Sequence, residues 1–93
     1  MRLEKEMDKQ LIQIADKIIE NKIQENSECL RITFYELRIK YDQSEEQTDR
    51  ILELMKNKLE NMNYQVYFTG VRFEYQECKR TVQPNELLIA IKE

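Results

Sequence analysis

An α+β fold, with three helices followed by a C-terminal antiparallel β-hairpin or small sheet, is what this sequence predicts. Three observations lead there. Apolar residues recur at three- and four-residue spacing over residues 3–24 and again over 48–62. Two helix-start signals of the form Ser/Thr-x-x-Glu/Gln, Thr33 with Glu36 and Ser44 with Gln47, lie between those stretches. From Tyr64 onward the apolar period changes to two, the period of a half-buried strand.

Residues 3–24 read as one amphipathic helix. Leu3, Met7, Leu11, Ile14 and Ile18 form one stripe, and Ile12, Ala15, Ile19 and Ile23 an adjoining one. Together they are wider than a two-residue coiled-coil seam. In a small domain two stripes are more than one neighbour easily covers, which makes this helix a candidate dimer or partner face. Glu25-Asn26-Ser27-Glu28 ends it. Leu30, Ile32 and Phe34 then alternate with polar residues as a short strand. The alternation can continue through Tyr35, Leu37, Ile39 and Tyr41 as an extended hairpin. The capping box at Thr33 favours helix from Phe34 instead, with Phe34, Leu37 and Tyr41 on one face. Asp42-Gln43 is a turn, and Ser44 caps the next helix.

That helix carries Thr48, Ile51, Leu52, Met55, Leu59 and Met62 inward. Glu45 and Glu46 in its first turn and Lys56 and Lys58 near its end match the macrodipole. After Asn63 the alternation of Tyr64, Val66 and Phe68 changes phase to Val71, Phe73 and Tyr75. Either Thr69-Gly70 is a two-residue hairpin turn pairing Phe68 with Val71 and Val66 with Phe73, or Gly70 marks a bulge in one long strand. Glu77-Cys78-Lys79-Arg80 is polar and can form a second turn, Val82 reads as an isolated apolar residue and Pro84-Asn85 as a turn or an edge position. Leu87 to Ile91 is apolar on both faces and reads as a buried strand.

The chain of 93 residues makes one domain, 1–93, and at this size stability is marginal without an economical core or a partner. A hydrophobic share of 41% suffices for a core and argues against wholesale disorder. The net charge of -3 argues mildly against a general polyanion binder. No run is long and apolar enough to span a membrane, and Met1 to Gln10 lacks the apolar centre of a signal peptide, so a cytoplasmic protein is expected. Cys29 and Cys78 are then expected to be reduced, and buried or half-buried.

Helix, short strand, short helix, turn, longer helix and hairpin form an order that resembles the winged helix-turn-helix superfamily. The residues that carry the resemblance are Ile32-Thr33-Phe34 with Glu36-Leu37, then Tyr41, Ser44-Glu45-Glu46-Gln47, Arg50-Ile51-Leu52 and Met55, and paired strands near 64–68 and 87–91. The resemblance implies a winged-helix-like domain, a recognition helix at 44–61 and a wing within 70–85. In that superfamily the recognition helix lies in the DNA major groove. Here its leading face offers Glu45, Glu46, Asp49, Arg50 and Glu53, four acids and one base, which would repel phosphates.

Catalytic, metal and cofactor chemistry has little to stand on. No His is present, so the commonest general base and metal ligand is missing, and two Cys alone cannot complete a four-ligand zinc site. One Gly excludes Gly-rich phosphate loops. No catalytic, metal-ligating or cofactor-binding residue is therefore nominated, and no small-molecule ligand is evident. The expected function is a small non-catalytic regulatory or protein-interaction module. It would meet a protein partner or form a homodimer through the N-terminal helix, by Leu3, Met7, Leu11, Ile14 and Ile18. The alternative is a sequence-specific DNA-binding transcriptional regulator using helix 44–61 and a basic wing. Its nucleic-acid contacts would be Arg38, Lys40, Gln47, Arg50, Lys79 and Arg80.

Overall fold

The computed structural model describes the backbone of residues 2–93 and the side chains of residues 8–93. Helix α1 spans Arg2–Glu25, strand β1 Cys29–Thr33, a short π-type helix Tyr35–Lys40 and helix α2 Glu45–Asn61. Strands β2 (Tyr64–Phe68), β3 (Arg72–Tyr75), β4 (Cys78–Thr81) and β5 (Glu86–Lys92) follow.

The two long helices pack side by side and run parallel. Asp8 on α1 pairs with Arg50 on α2 at 3.4 Å, and Asp16 pairs with Lys58 at 2.7 Å, each across 42 residues of sequence. Parallel macrodipoles repel mildly, and these two cross-helix pairs act against that repulsion. Among the described residues, both apolar stripes of α1 pack within the domain except at Ile12, which is exposed. Leu11, Ala15, Ile18 and Ile19 are buried with Ile51, Leu52, Met55 and Leu59 of α2 and with the inner face of the sheet. Ile14 and Ile23 pack at the margin of the same core. Leu11 and Ile18 are thus core residues and Ile14 is half-buried at the core's margin, so the described part of that stripe is not left free as a dimer face. The Leu3 and Met7 side chains lie outside the described residues.

The larger sheet has the order β1-β5-β2, antiparallel throughout. Strand β5 is central, with Leu30 opposite Ala90 and Val66 opposite the same residue on the other side. Leu30, Ile32, Tyr64, Leu88 and Ala90 face the helices. The opposite face is covered too. The β3–β4 hairpin folds across it, burying Phe73 and Val82 against Ile89, with Cys29, Tyr67, Tyr75 and Ile91 around them. The Tyr67 and Phe73 rings lie 6.0 Å apart, tilted by 45°. Burial on both faces explains why β5 is apolar on both.

The fold is α+β, but three helices followed by a C-terminal hairpin is not its arrangement. Strands alternate with helices, and five strands form two antiparallel sheets. Strand β1, which precedes two of the helices, is an edge of the main sheet. The hairpin sits between β2 and β5 and lies over the sheet, because Phe73 and Val82 bury apolar surface there. The winged-helix-like expectation is corrected accordingly.

Neither reading of Thr69-Gly70 is realised. The Val71 amide donates to the Phe68 carbonyl at 3.0 Å, and Gly70 has φ +86°, the positive angle that the third position of a type II turn requires. That turn moves the chain from one sheet to the other, so β2 pairs with β5 and β3 with β4. Cys78 to Arg80 is strand rather than turn. The reversal is at Gln76-Glu77, with Gln76 at φ 55°.

Candidate interaction surface

The short helix begins as its sequence dictates. Phe34 already has helical angles, so Thr33 is the capping residue. The Glu36 amide donates to Thr33 Oγ1 at 3.3 Å, and the Thr33 amide donates to Glu36 Oε1 at 3.3 Å. Glu36 also pairs with Lys22 of α1 at 2.7 Å, which anchors the helix start. The Phe34 amide donates to Asn85 of the turn before β5 at 2.8 Å.

The coil is wider than an α-helix. The Tyr41 amide bonds to the Glu36 carbonyl at 2.9 Å, an i→i+5 bond, and the Gln43 amide reaches Leu37 at 3.0 Å. Asp42, at φ 51°, turns the chain before Ser44 starts α2 with a complete capping box. An additional residue per turn breaks the three-and-four spacing that would align Phe34, Leu37 and Tyr41. Leu37 is fully buried and Tyr41 half-buried, while Phe34 turns outward.

The outward face is therefore apolar. Phe34, Tyr35 and Ile39 are 42%, 63% and 59% exposed, three of the five large exposed hydrophobic residues among those described. Arg38 lies 5.2 Å from the Phe34 ring centre, and Lys40 lies 5.9 Å from that of Tyr41. Single exposed apolar residues are ordinary, whereas a cluster within one turn marks a contact surface. Aromatic and aliphatic groups at the centre with cations at the rim are the usual composition of a protein interface.

The cleft beside this helix offers less. It has a volume of about 300 Å³ and is lined by α1 and short-helix residues including Lys22, Glu36, Lys40 and Tyr41. That is at the lower limit of small-molecule sites, which are mostly apolar. Its Lys22 and Glu36 neutralise each other. Among the described residues no group of three or more His, Cys, Asp or Glu side chains converges as metal ligands, and no helix is long and apolar enough to cross a membrane.

The six residues nominated for nucleic acid are not brought together as a free basic face. Arg80 is committed to Glu86 and stacks over Phe73 at 5.0 Å. Arg50 pairs with Asp8 at 3.4 Å and with Glu53 at 3.2 Å. Gln47 closes the capping box, accepting from the Ser44 amide at 2.9 Å. Lys79 is exposed on the hairpin. Arg38 lies by Phe34 on the apolar face, and Lys40 lines the cleft between the short helix and α1.

Glu86 is the residue that sequence reasoning missed. It is 2% exposed at the head of β5. Its carboxylate accepts from Arg80 Nη1 and Nη2, the latter at 2.9 Å, from the Gln83 amide at 3.0 Å and from Arg31 at 3.4 Å. The Arg80 hydrogen bonds hold its pKa down to about 2, against the opposing effect of burial. The same bonds hold the Arg80 pKa above the ordinary arginine range. This cluster fastens the hairpin to β1 and β5. The one available sequence signal was an acid opening an otherwise apolar strand.

Both cysteines are free thiols, Cys29 half-buried and Cys78 exposed, so the expectation of burial is corrected for Cys78. Burial, then the neighbouring Cys78, raises the Cys29 pKa.

No family model, no curated protein and no solved structure matches this chain, and nothing in those comparisons points to the winged-helix superfamily.

Proposed function

We propose that this chain is a small non-catalytic protein-interaction module whose contact surface is the outward face of the short helix. One observation carries the reading: Phe34, Tyr35 and Ile39 are exposed together, within six residues, on a helix whose start is anchored by Thr33, Glu36, Lys22 and Asn85. A fixed backbone lowers the ordering cost of binding. The π widening turns these side chains outward, and such irregular turns are frequent at functional positions. The reading keeps the expected protein partner but moves the contact from α1 to the short helix. A cytoplasmic setting, in which both thiols stay reduced, belongs to the same reading.

DNA binding is the less supported use. The leading turn of α2 carries Glu45 and Glu46, Arg50 faces Asp8 and Glu53, and Arg80 is neutralised by Glu86. Phosphate contacts need cations that are available to the backbone.

Photo-crosslinking tests the reading. A photoreactive residue is placed at Ile39 and, as a control, at exposed Asn57 on α2. Protein adducts of discrete mass are expected from position 39 and not from position 57. Nucleic-acid adducts at 39, equal protein adducts at both positions, or none at either would overturn it.

A further inference from the structure

We infer that Cys29 and Cys78 form a reversible dithiol–disulfide pair, oxidised by a small-molecule disulfide of the glutathione class, whose bond ties the tip of the β3–β4 hairpin to β1.

Strand alternation places the two thiols on facing surfaces. Leu30 and Ile32 of β1 face the helices, so Cys29 and Arg31 face the hairpin. Cys29 accordingly packs around the Phe73, Val82 and Ile89 cluster beneath it. On the hairpin, Phe73 and Tyr75 pack on the same cluster, and their cross-strand partners are Arg80 and Cys78. Directly opposed residues of an antiparallel pair share a face, so Arg80 and Cys78 are also turned toward the sheet.

Contacts on either side of the two cysteines bridge the same two elements. Arg31 of β1 and Arg80 of β4 meet at the Glu86 carboxylate, and each lies two residues after a cysteine. The hydroxyl of Tyr75, opposite Cys78, donates to the carboxylate of Glu28, beside Cys29, at 3.2 Å. The sulfurs feel each other accordingly: after burial, Cys78 is the largest influence raising the Cys29 pKa.

Their exposures assign the order of events. Cys78 is exposed and Cys29 half-buried. Cys78, as thiolate, attacks one sulfur of oxidised glutathione, forming a mixed disulfide and releasing one glutathione thiolate. Cys29, as thiolate, then attacks Cys78 Sγ, forming the Cys29–Cys78 bond and releasing the second glutathione. The chain gives up two electrons and two protons, and the oxidant takes both to become two thiols. Packed layers stand farther apart than a disulfide spans, so the bond draws the hairpin tip at Gln76-Glu77 down onto β1. Under a reducing poise the pair stays as two thiols, and the bond forms when the oxidised share of the small disulfide rises.

The test treats the folded full chain with oxidised glutathione, alkylates the remaining thiols and reads intact mass, peptide maps and melting temperature. A monomer lighter by two hydrogens is expected, free of glutathione and of alkyl groups, with the Cys29 and Cys78 peptides joined. The bond closes a loop of about 50 residues, so the oxidised chain is expected to melt higher by on the order of 10 °C. Cys29→Ser is expected to stop with one glutathione on Cys78, and Cys78→Ser to react about tenfold or more slowly, because its remaining thiol is half-buried.

A native chain that retains glutathione on either cysteine, joins two copies through them, or leaves both open to alkylation overturns the inference. So does an oxidised chain that melts no higher than the reduced one, since its bond would form only by opening the hairpin. Equal reaction rates of the two variants overturn the assignment of Cys78 as the attacking thiol.

Discussion

Replacing Glu86 by Gln is expected to lower the stability of this domain by about 3 kcal/mol, the free-energy equivalent of holding a carboxylate pKa near 2 rather than at its ordinary value. In a chain of this size that loss lowers the melting temperature by on the order of 10–20 °C. The physical reason is that Gln keeps the shape and loses the charge. Arg80 and Arg31 then face each other across the head of β5 without the anion that holds both. The loss falls on the buried end of the cluster, where the Gln83 amide and the guanidinium of Arg80 keep a partner of the right shape but without its charge.

The same residue sets an acid limit. The folded-state pKa of Glu86 lies below its unfolded value of 4.5. Protons therefore bind the unfolded chain more readily, and stability falls as pH falls. The contribution is fully present above about pH 5 and is lost progressively toward pH 2. Urea titrations at several pH values would show this decline in the native chain. Its slope is expected to be much flatter in Glu86→Gln. An unchanged slope would mean that Glu86 is not the group responsible.

The second large effect is expected at Leu37. This side chain is fully buried and is the only buried residue of the short helix. Leu37→Ala is expected to cost about 3 kcal/mol through lost transfer energy and the cavity left behind. Ile39, two residues on, is 59% exposed, and Ile39→Ala is expected to change stability by less than about 0.5 kcal/mol. Chemical denaturation of the two variants side by side therefore reads which side of the short helix faces the core. Similar losses from both would contradict the burial of Leu37 and the exposure of Ile39. Leu37→Ala is also expected to loosen the contact face, since Leu37 is what holds this helix on the core.

How much of this was legible depends on how local each signal is. Helices α1 and α2, strand β1 and the outer limits of β2 and β5 follow from periodicity and from caps at Thr33 and Ser44, all of which act within a few residues. The order β1-β5-β2 does not, because it joins residues at opposite ends of the chain. The placement of the hairpin over the sheet depends on Phe73, Val82 and Ile89 meeting, and Val82 alone in the sequence looks like an isolated apolar residue. Glu86 takes its meaning first from Arg80, which the β3–β4 hairpin brings back over the head of β5, and then from Arg31, 55 residues earlier. The expectation of surplus apolar surface was placed on α1. There Leu11, Ala15, Ile18 and Ile19 of the two stripes are buried in the core, with Ile14 and Ile23 packed at its margin. The exposed apolar cluster is at the short helix, where of Phe34, Tyr35, Leu37, Ile39 and Tyr41 only Leu37 is fully buried.

Hydroxyl-radical footprinting of Phe34, Tyr35 and Ile39, in the free chain and in complex with the partner captured by crosslinking from position 39, tests the central claim most directly. Oxidation of these three side chains is expected to fall in the complex, while Ile12 and Val71, which are exposed elsewhere, keep their reactivity. Constant oxidation of the short-helix residues, or protection that appears at Ile12 or Val71 instead, would contradict it.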